Sequence, residues 1–381
     1  MRSCIALVLL LVAANAAAAD FAVRVAPFGQ VFPALELSQS RRAEPAQGDH
    51  VLGSGSGLIA VRVRARHAGE RVVLGINVPG LGPTQHFAAT LAQGGVEYSL
   101  HPPLHWNREN LRAIVAPRTV SMRFDLRRDA GPTDSQTVSV SLRPPDEALY
   151  FVRDAGDSVD LSWIFAAYVD ARDPIVTYLL EDARRHGIVD AFDGYADADP
   201  DRVLAQVWAI WDAIGRRGIR YSGADPAIER GPHVYSQRVR SLARTWADRS
   251  ANCIDGSVLI ASALQRIGLR TFLVLVPGHA FVGFYTDTNG RHVAYLETTL
   301  LGANVGAPQT RPAFATRTAA NDGNLASFVA ALAAGRARHA HVARKLDGRH
   351  RPDYAVIDID AARAYGIVPI AAGQTGDSAI R

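Results

Sequence analysis

The chain has 381 residues, with 41 Lys and Arg against 37 Asp and Glu, for a formal net charge of +4. The excess is small and almost all arginine, with Lys345 the single lysine. It lacks the clustered basic footprint of a nucleic-acid binder. The length accommodates two or three domains.

The first residues read MRSCIALVLLLVAANAAAAD. Arg2 is a short positive region, Cys4 to Val12 is an apolar run too short to span a bilayer, and small residues follow up to Ala19. This is the pattern of a secretory signal peptide over residues 1–19, cleaved to leave a periplasmic or secreted protein. Cys4 lies too early in the run to be a lipidated cysteine. No later run approaches about 18 consecutive apolar residues, so no stable membrane insertion is expected after cleavage. Cys253 is then the one cysteine left. It is either a free reactive thiol or a small buried hydrophobe.

From residue 20 to 145 the sequence alternates with period two. Val61–Arg66, Val72–Val78, Thr119–Arg127 and Val138–Leu142 each put apolar side chains on one face. Short alternating runs between Gly and Pro, with no helical periodicity, predict an antiparallel β-sandwich. The stretch RPPDEA (Arg143 to Ala148) marks a boundary, and helical periodicity predicts an α+β domain over residues 150–370. Pro174–Arg185 reads as one helix. Pro200 to Arg217 reads as another, with Asp199 as its cap and Pro200 at its first position. The acidic run Asp197–Asp201 lacks the Gly and Glu of a calcium loop and marks that helix start instead. Arg336–Lys345, with His339 and His341, reads as a solvated basic helix end and not a metal site. Tyr354–Ile370 reads as a strand and a helical turn, and residues 371–381 as a disordered tail.

The chemistry gathers around NCIDG, Asn252 to Gly256. Asn252 and Asp255 form a capping-box pattern, and helical spacing continues to Ile267 before Gly268. Cys253 is thus the first residue of a helix, where unsatisfied N–H groups favour a thiolate. Thr271–Val276 reads as a fully buried strand. His279–Thr286 and Arg291–Thr299 read as the arms of a hairpin around Asp287–Gly290. A two-residue loop sends His279 and Glu297 to opposite faces. A three-residue loop, Thr288 to Gly290 with a glycine bulge, sets Phe281 opposite Glu297 and brings His279 diagonally beside it. The three-residue loop is the expectation.

The run NCIDGSVLIASALQRIGLRTFLVLVPGHAFVGFY, with YLETT after it, resembles the core of the transglutaminase-like superfamily within the papain-like cysteine enzymes. The resemblance covers about Val203 to Leu301. It implies a cysteine helix packed on an antiparallel sheet. Cys253 would be the nucleophile, His279 the general base and acid, and Glu297 the orienting carboxylate. Two departures stand out: Glu297 replaces the commoner aspartate, and Ala251-Asn252 stands where a glycine usually precedes the cysteine. For the oxyanion hole the Cys253 N–H is a natural donor. Gln237, in a segment that reads as a loop, is preferred to Trp246 as the side-chain donor, and an ordinary surface role for Gln237 stays open.

The implied activity is acyl transfer through a thioester: hydrolysis by a peptidase or amidase acting on a protein or peptide, cell-wall peptide included. Protein crosslinking and a non-catalytic binding module of the same fold are the alternatives. A redox role lacks a partner cysteine. No metal or cofactor is expected.

Overall fold

The computed structural model describes residues 21–40, 48–55, 57–129, 131–154, 157–197, 199–223, 228–316, 323–348 and 351–371. The expected signal peptide at 1–19 lies outside the described residues, as does all of the expected tail but residue 371. The protein is mixed α+β and divides into two compact units. One comprises Met1–Val159 with Gly231–Val234, the other Asp160–Arg230 with Tyr235–Arg381.

The first unit holds a four-stranded sheet ordered Phe21–Val25, Ile59–Arg64, Glu97–His101 and Val51–Gly53. It also holds a five-stranded sheet ordered Gln30–Val31, Asp134–Leu142, Arg118–Arg128, Glu70–Asn77 and Gln85–Leu91. Met122, Phe124 and Leu126 are buried on one face of their strand and Val140 and Leu142 on theirs, as the period-two pattern demands. Two short helices interrupt the strands where the alternation predicted none. Pro33–Ser38 starts with proline at its first turn, and Arg108–Arg112 is capped by the Asn107 side chain. One-turn helices are too short to imprint a periodicity. Strands also continue past RPPDEA, over Glu147–Asp154 and Asp157–Asp160.

In the second unit, helices Pro174–Arg185 and Pro200–Arg216 form as their caps and apolar stripes predict. The Asp173 and Asp199 side chains accept the N–H two residues on. Trp208 and Trp211 are buried core residues. Asp193 and Asp197, beside the helix start, both pair with Arg202. The central strand Thr271–Val276 is buried throughout and lies between His279–Tyr285 and Ala355–Asp358, both antiparallel, with Val293–Leu296 beyond His279–Tyr285. Cys253–Arg266, hereafter the cysteine helix, packs against Thr271–Val276 and His279–Tyr285.

Helix Gly323–Val342 crosses the same sheet, where its Val342 joins Phe272, Val274, Val276 and Phe281 in one apolar cluster. Buried polar bonds join this helix to Pro200–Arg216. Trp211 Nε1 donates to Ser327 Oγ at 2.9 Å, and Asn324 Nδ2 donates to Asp212 Oδ1 at 2.9 Å. Asp212 also accepts from Arg216 Nε at 2.7 Å. Among the described residues no helix is long and apolar enough to cross a membrane.

Candidate active site

Cys253 opens its helix because Asn252 and Asp255 cap it reciprocally. The Asp255 N–H donates to Asn252 Oδ1 at 2.9 Å, and the Asn252 N–H to Asp255 Oδ2 at 3.2 Å. Asp255 is buried and also accepts the Arg240 N–H at 2.8 Å, so the segment before the helix is tied to its first turn. Ser257 Oγ and Thr298 Oγ1 both donate to the Cys253 carbonyl, at 2.7 and 3.0 Å. The thiol itself is half-buried. Fixed on three sides, Cys253 has little freedom to leave the mouth of its helix.

The hairpin has the register of the three-residue loop. Tyr285 pairs with Val293 and Val282 with Leu296, and the same register sets Phe281 opposite Glu297. The Thr286 N–H donates to the His292 carbonyl at 3.0 Å, and a side chain closes the turn beyond it. The Asp287 carboxylate accepts the N–H groups of Arg291 and His292, at 2.9 and 3.0 Å. Gly290, at φ +70°, takes the left-handed position that glycine tolerates without a Cβ clash. The second arm ends at Leu296, one residue before the acid. Glu297 caps the 3₁₀ turn Thr298–Leu300, and its Oε1 accepts the Thr299 N–H at 3.2 Å and Thr299 Oγ1 at 2.9 Å.

Register and cap together bring Glu297 to His279. His279 Nε2 meets Glu297 Oε2 at 2.8 Å, with both side chains largely buried. Cys253 stands close enough to the His279 ring for its thiol to bear on the imidazole. Burial works against the imidazolium, but Cys253 and Glu297 together outweigh it and raise the His279 pKa to about 9. Burial likewise opposes the Glu297 carboxylate. The bond and charge of His279, with the Thr299 donors, bring it down to about 2. An imidazole poised between a thiol and a carboxylate can take up a proton and return it near neutral pH.

Gln237 lies on the strand Val234–Arg238 and not in a loop; the polar run YSQR hid a strand of five residues. It is buried, and its Nε2 donates to the Arg238 carbonyl at 3.0 Å, leaving a second N–H on the same nitrogen. Trp246 packs edge-on to Tyr178 under the Arg217 guanidinium. Four contributors were missed in the sequence. Thr298 and Thr299 stand in YLETT, yet their roles depend on the 3₁₀ turn. Tyr221, on the short strand Arg220–Tyr221 paired with Ser250–Ala251, stands near enough that burial and the charges of Cys253 and Glu297 raise its pKa. Arg338, expected on a solvated helix end, donates from Nε to Glu297 Oε2 at 2.7 Å. The helix lies against Val293–Leu296, a tertiary contact that no local pattern announces.

Among the described residues no group of three or more His, Cys, Asp or Glu could hold a metal ion. No protein-family model and no curated protein matches this chain.

Proposed function

We propose that the protein is a cysteine-dependent acyl-transfer enzyme of transglutaminase-like type that hydrolyses peptide or amide bonds. In the same reading, the two N-terminal sheets form a β-sandwich, the second unit is the transglutaminase-like domain, and the chain is exported. The sheets are not wholly antiparallel as expected, since the short edge strands Gln30–Val31 and Val51–Gly53 run parallel to their neighbours. The observation that carries it is the continuous chain from Cys253 through His279 to Glu297, with the cysteine at a helix start.

The Cys253 thiolate attacks the carbonyl carbon of the scissile bond, and the electron pair of that carbonyl moves onto its oxygen. The Cys253 N–H, which has no intrahelical acceptor in the first turn, faces this charge, and Gln237 supplies the second donor. The C–N bond then breaks, and the imidazolium of His279 gives its proton to the leaving amine. Water attacks the thioester, His279 takes the proton of the water, and the C–S bond breaks. The acid product leaves, and the proton on His279 restores the ion pair with the thiolate. Glu297 keeps its bond to Nε2 and so holds the ring in place throughout.

Alkylation of the folded protein tests the site. Iodoacetamide should label Cys253 readily at pH 6, well below the range in which an unassisted thiol of pKa about 8.5 reacts. Resistance to labelling until the chain is unfolded would make Cys253 an inert core residue. Product analysis with casein, with peptidoglycan, and with a glutamine peptide plus a primary amine then separates hydrolysis from crosslinking. Cys253→Ala must abolish whichever product appears.

A further inference from the structure

Helix Gly323–Val342 approaches the hairpin more closely than side chains ordinarily permit. A Cβ on Gly335 would stand 2.6 Å from the Tyr295 carbonyl carbon and oxygen and 2.9 Å from the Leu296 nitrogen. Only glycine fits against that backbone. The Glu297 N–H donates to the Ala331 carbonyl of the same helix at 3.1 Å. His339 lies flat on Tyr295, ring centroids 4.0 Å apart. About one turn beyond Gly335, Arg338 reaches Glu297 Oε2 at 2.7 Å. That oxygen is the one that meets His279. Exposed ion pairs contribute little. This one differs, because the carboxylate is only 3% exposed although the guanidinium is 43% exposed.

We propose that Arg338 is a positioning residue of the thiol site: it fixes the Glu297 carboxylate toward His279 and, by sharing Oε2, limits how tightly Glu297 holds the imidazolium. The proposal rests on the Cys253–His279–Glu297 reading. A carboxylate with a single cationic partner stabilises that cation most, and a second cation on the same oxygen weakens the hold. The balance matters because His279 must release its proton to the leaving amine. The groups that bear on His279 are Cys253 at the start of the cysteine helix, Glu297 after the hairpin, Arg338 on the long helix and Tyr221 on its short strand. His339, the neighbour of Arg338, is committed to Tyr295, and burial lowers its pKa. Gly335 is what lets the helix carry Arg338 to the carboxylate.

The test is a pH titration of the His279 ring by NMR in the full chain, assigned by its loss in His279→Gln, alongside thermal unfolding. Arg338→Gln should raise the midpoint by about half a pH unit or more, roughly a threefold gain in proton affinity. Arg338→Lys should stay near the wild type, and Gly335→Ala should shift as Arg338→Gln does. A wild-type midpoint in Arg338→Gln, with only a lower unfolding temperature, would make Arg338 a structural tether and overturn the proposal. If carbamidomethylation of Cys253 leaves the wild-type His279 midpoint unmoved, the site reading fails, and the proposal fails with it.

Discussion

His279 meets Glu297 through Nε2 and stands beside Cys253, and each of these neighbours has its own measurable consequence. Glu297→Gln removes the charge and lets the amide N–H face Nε2, so the imidazole can adopt the wrong tautomer. In a serine-based triad the equivalent change lowers kcat by about 10⁴, and a loss of at least about 10³ is expected here, with Cys253 still present for alkylation. Gln237→Ala should lower kcat by about 10²–10³ with little change in KM, because an oxyanion donor acts mainly on the transition state. Single-turnover and steady-state assays on the substrate identified by product analysis check both. An unchanged kcat in Gln237→Ala would return that residue to its observed bond with the Arg238 carbonyl. Arg338 belongs to this scale in effect, although its place is set by a whole helix.

The cysteine helix and the hairpin are the elements that hold the site. The helix depends on Asp255, which accepts the N–H groups of both Asn252 and Arg240 while buried. Replacing it with alanine removes one half of the capping box and takes the acceptor from the Asn252 and Arg240 N–H groups. A loss of about 2–3 kcal/mol is expected, above the roughly 1 kcal/mol of an ordinary cap. Urea unfolding of Asp255→Ala beside Asn252→Ala checks this, and equal losses would mean that the Arg240 bond contributes nothing. The hairpin depends on its register. Shifting the pairing by one residue would turn every side chain of the second arm to the opposite face, Glu297 included. The Asp287 carboxylate and Gly290 select against that slip. Deleting Asn289, which forces a shorter loop, should abolish the His279–Glu297 contact and with it the elevated His279 titration.

At the scale of the molecule, the same pair sets how stability depends on pH. The folded pKa of His279, about 9, lies above its ordinary 6.5. Its contribution is therefore complete below pH 6.5 and is lost as pH rises through 9. Glu297, near 2 and below its ordinary 4.5, contributes fully above pH 4.5 and loses that contribution as pH falls toward 2. The two overlap in full between about pH 4.5 and 6.5. Thermal unfolding across pH should show the wild type losing more stability than His279→Gln between pH 6.5 and 9. Parallel curves for the two proteins would contradict the pair. A second network, Asp212 with Arg216 and Asn324, joins two helices through a buried carboxylate. Asp212→Ala should lower stability by about 2–3 kcal/mol without moving the His279 midpoint.

Much of this was legible along the chain, because it rests on contacts between near neighbours. The capping box places Cys253 at a helix start from four consecutive residues, Pro200 and Asp199 mark another start, and the hairpin register follows from a loop of three. Gln237 was misplaced on a loop because a five-residue strand rich in polar side chains carries no clear alternation. Arg338 was set on a solvated helix end because its partner lies 41 residues away in sequence. Local spacing determines where helices begin and which strand residues share a face, since those choices are made within one or two turns of backbone. Only the tertiary structure could decide that Gly335 admits a helix against the hairpin and that Glu297 serves two cations at once. Close packing of distant segments has no periodicity to read.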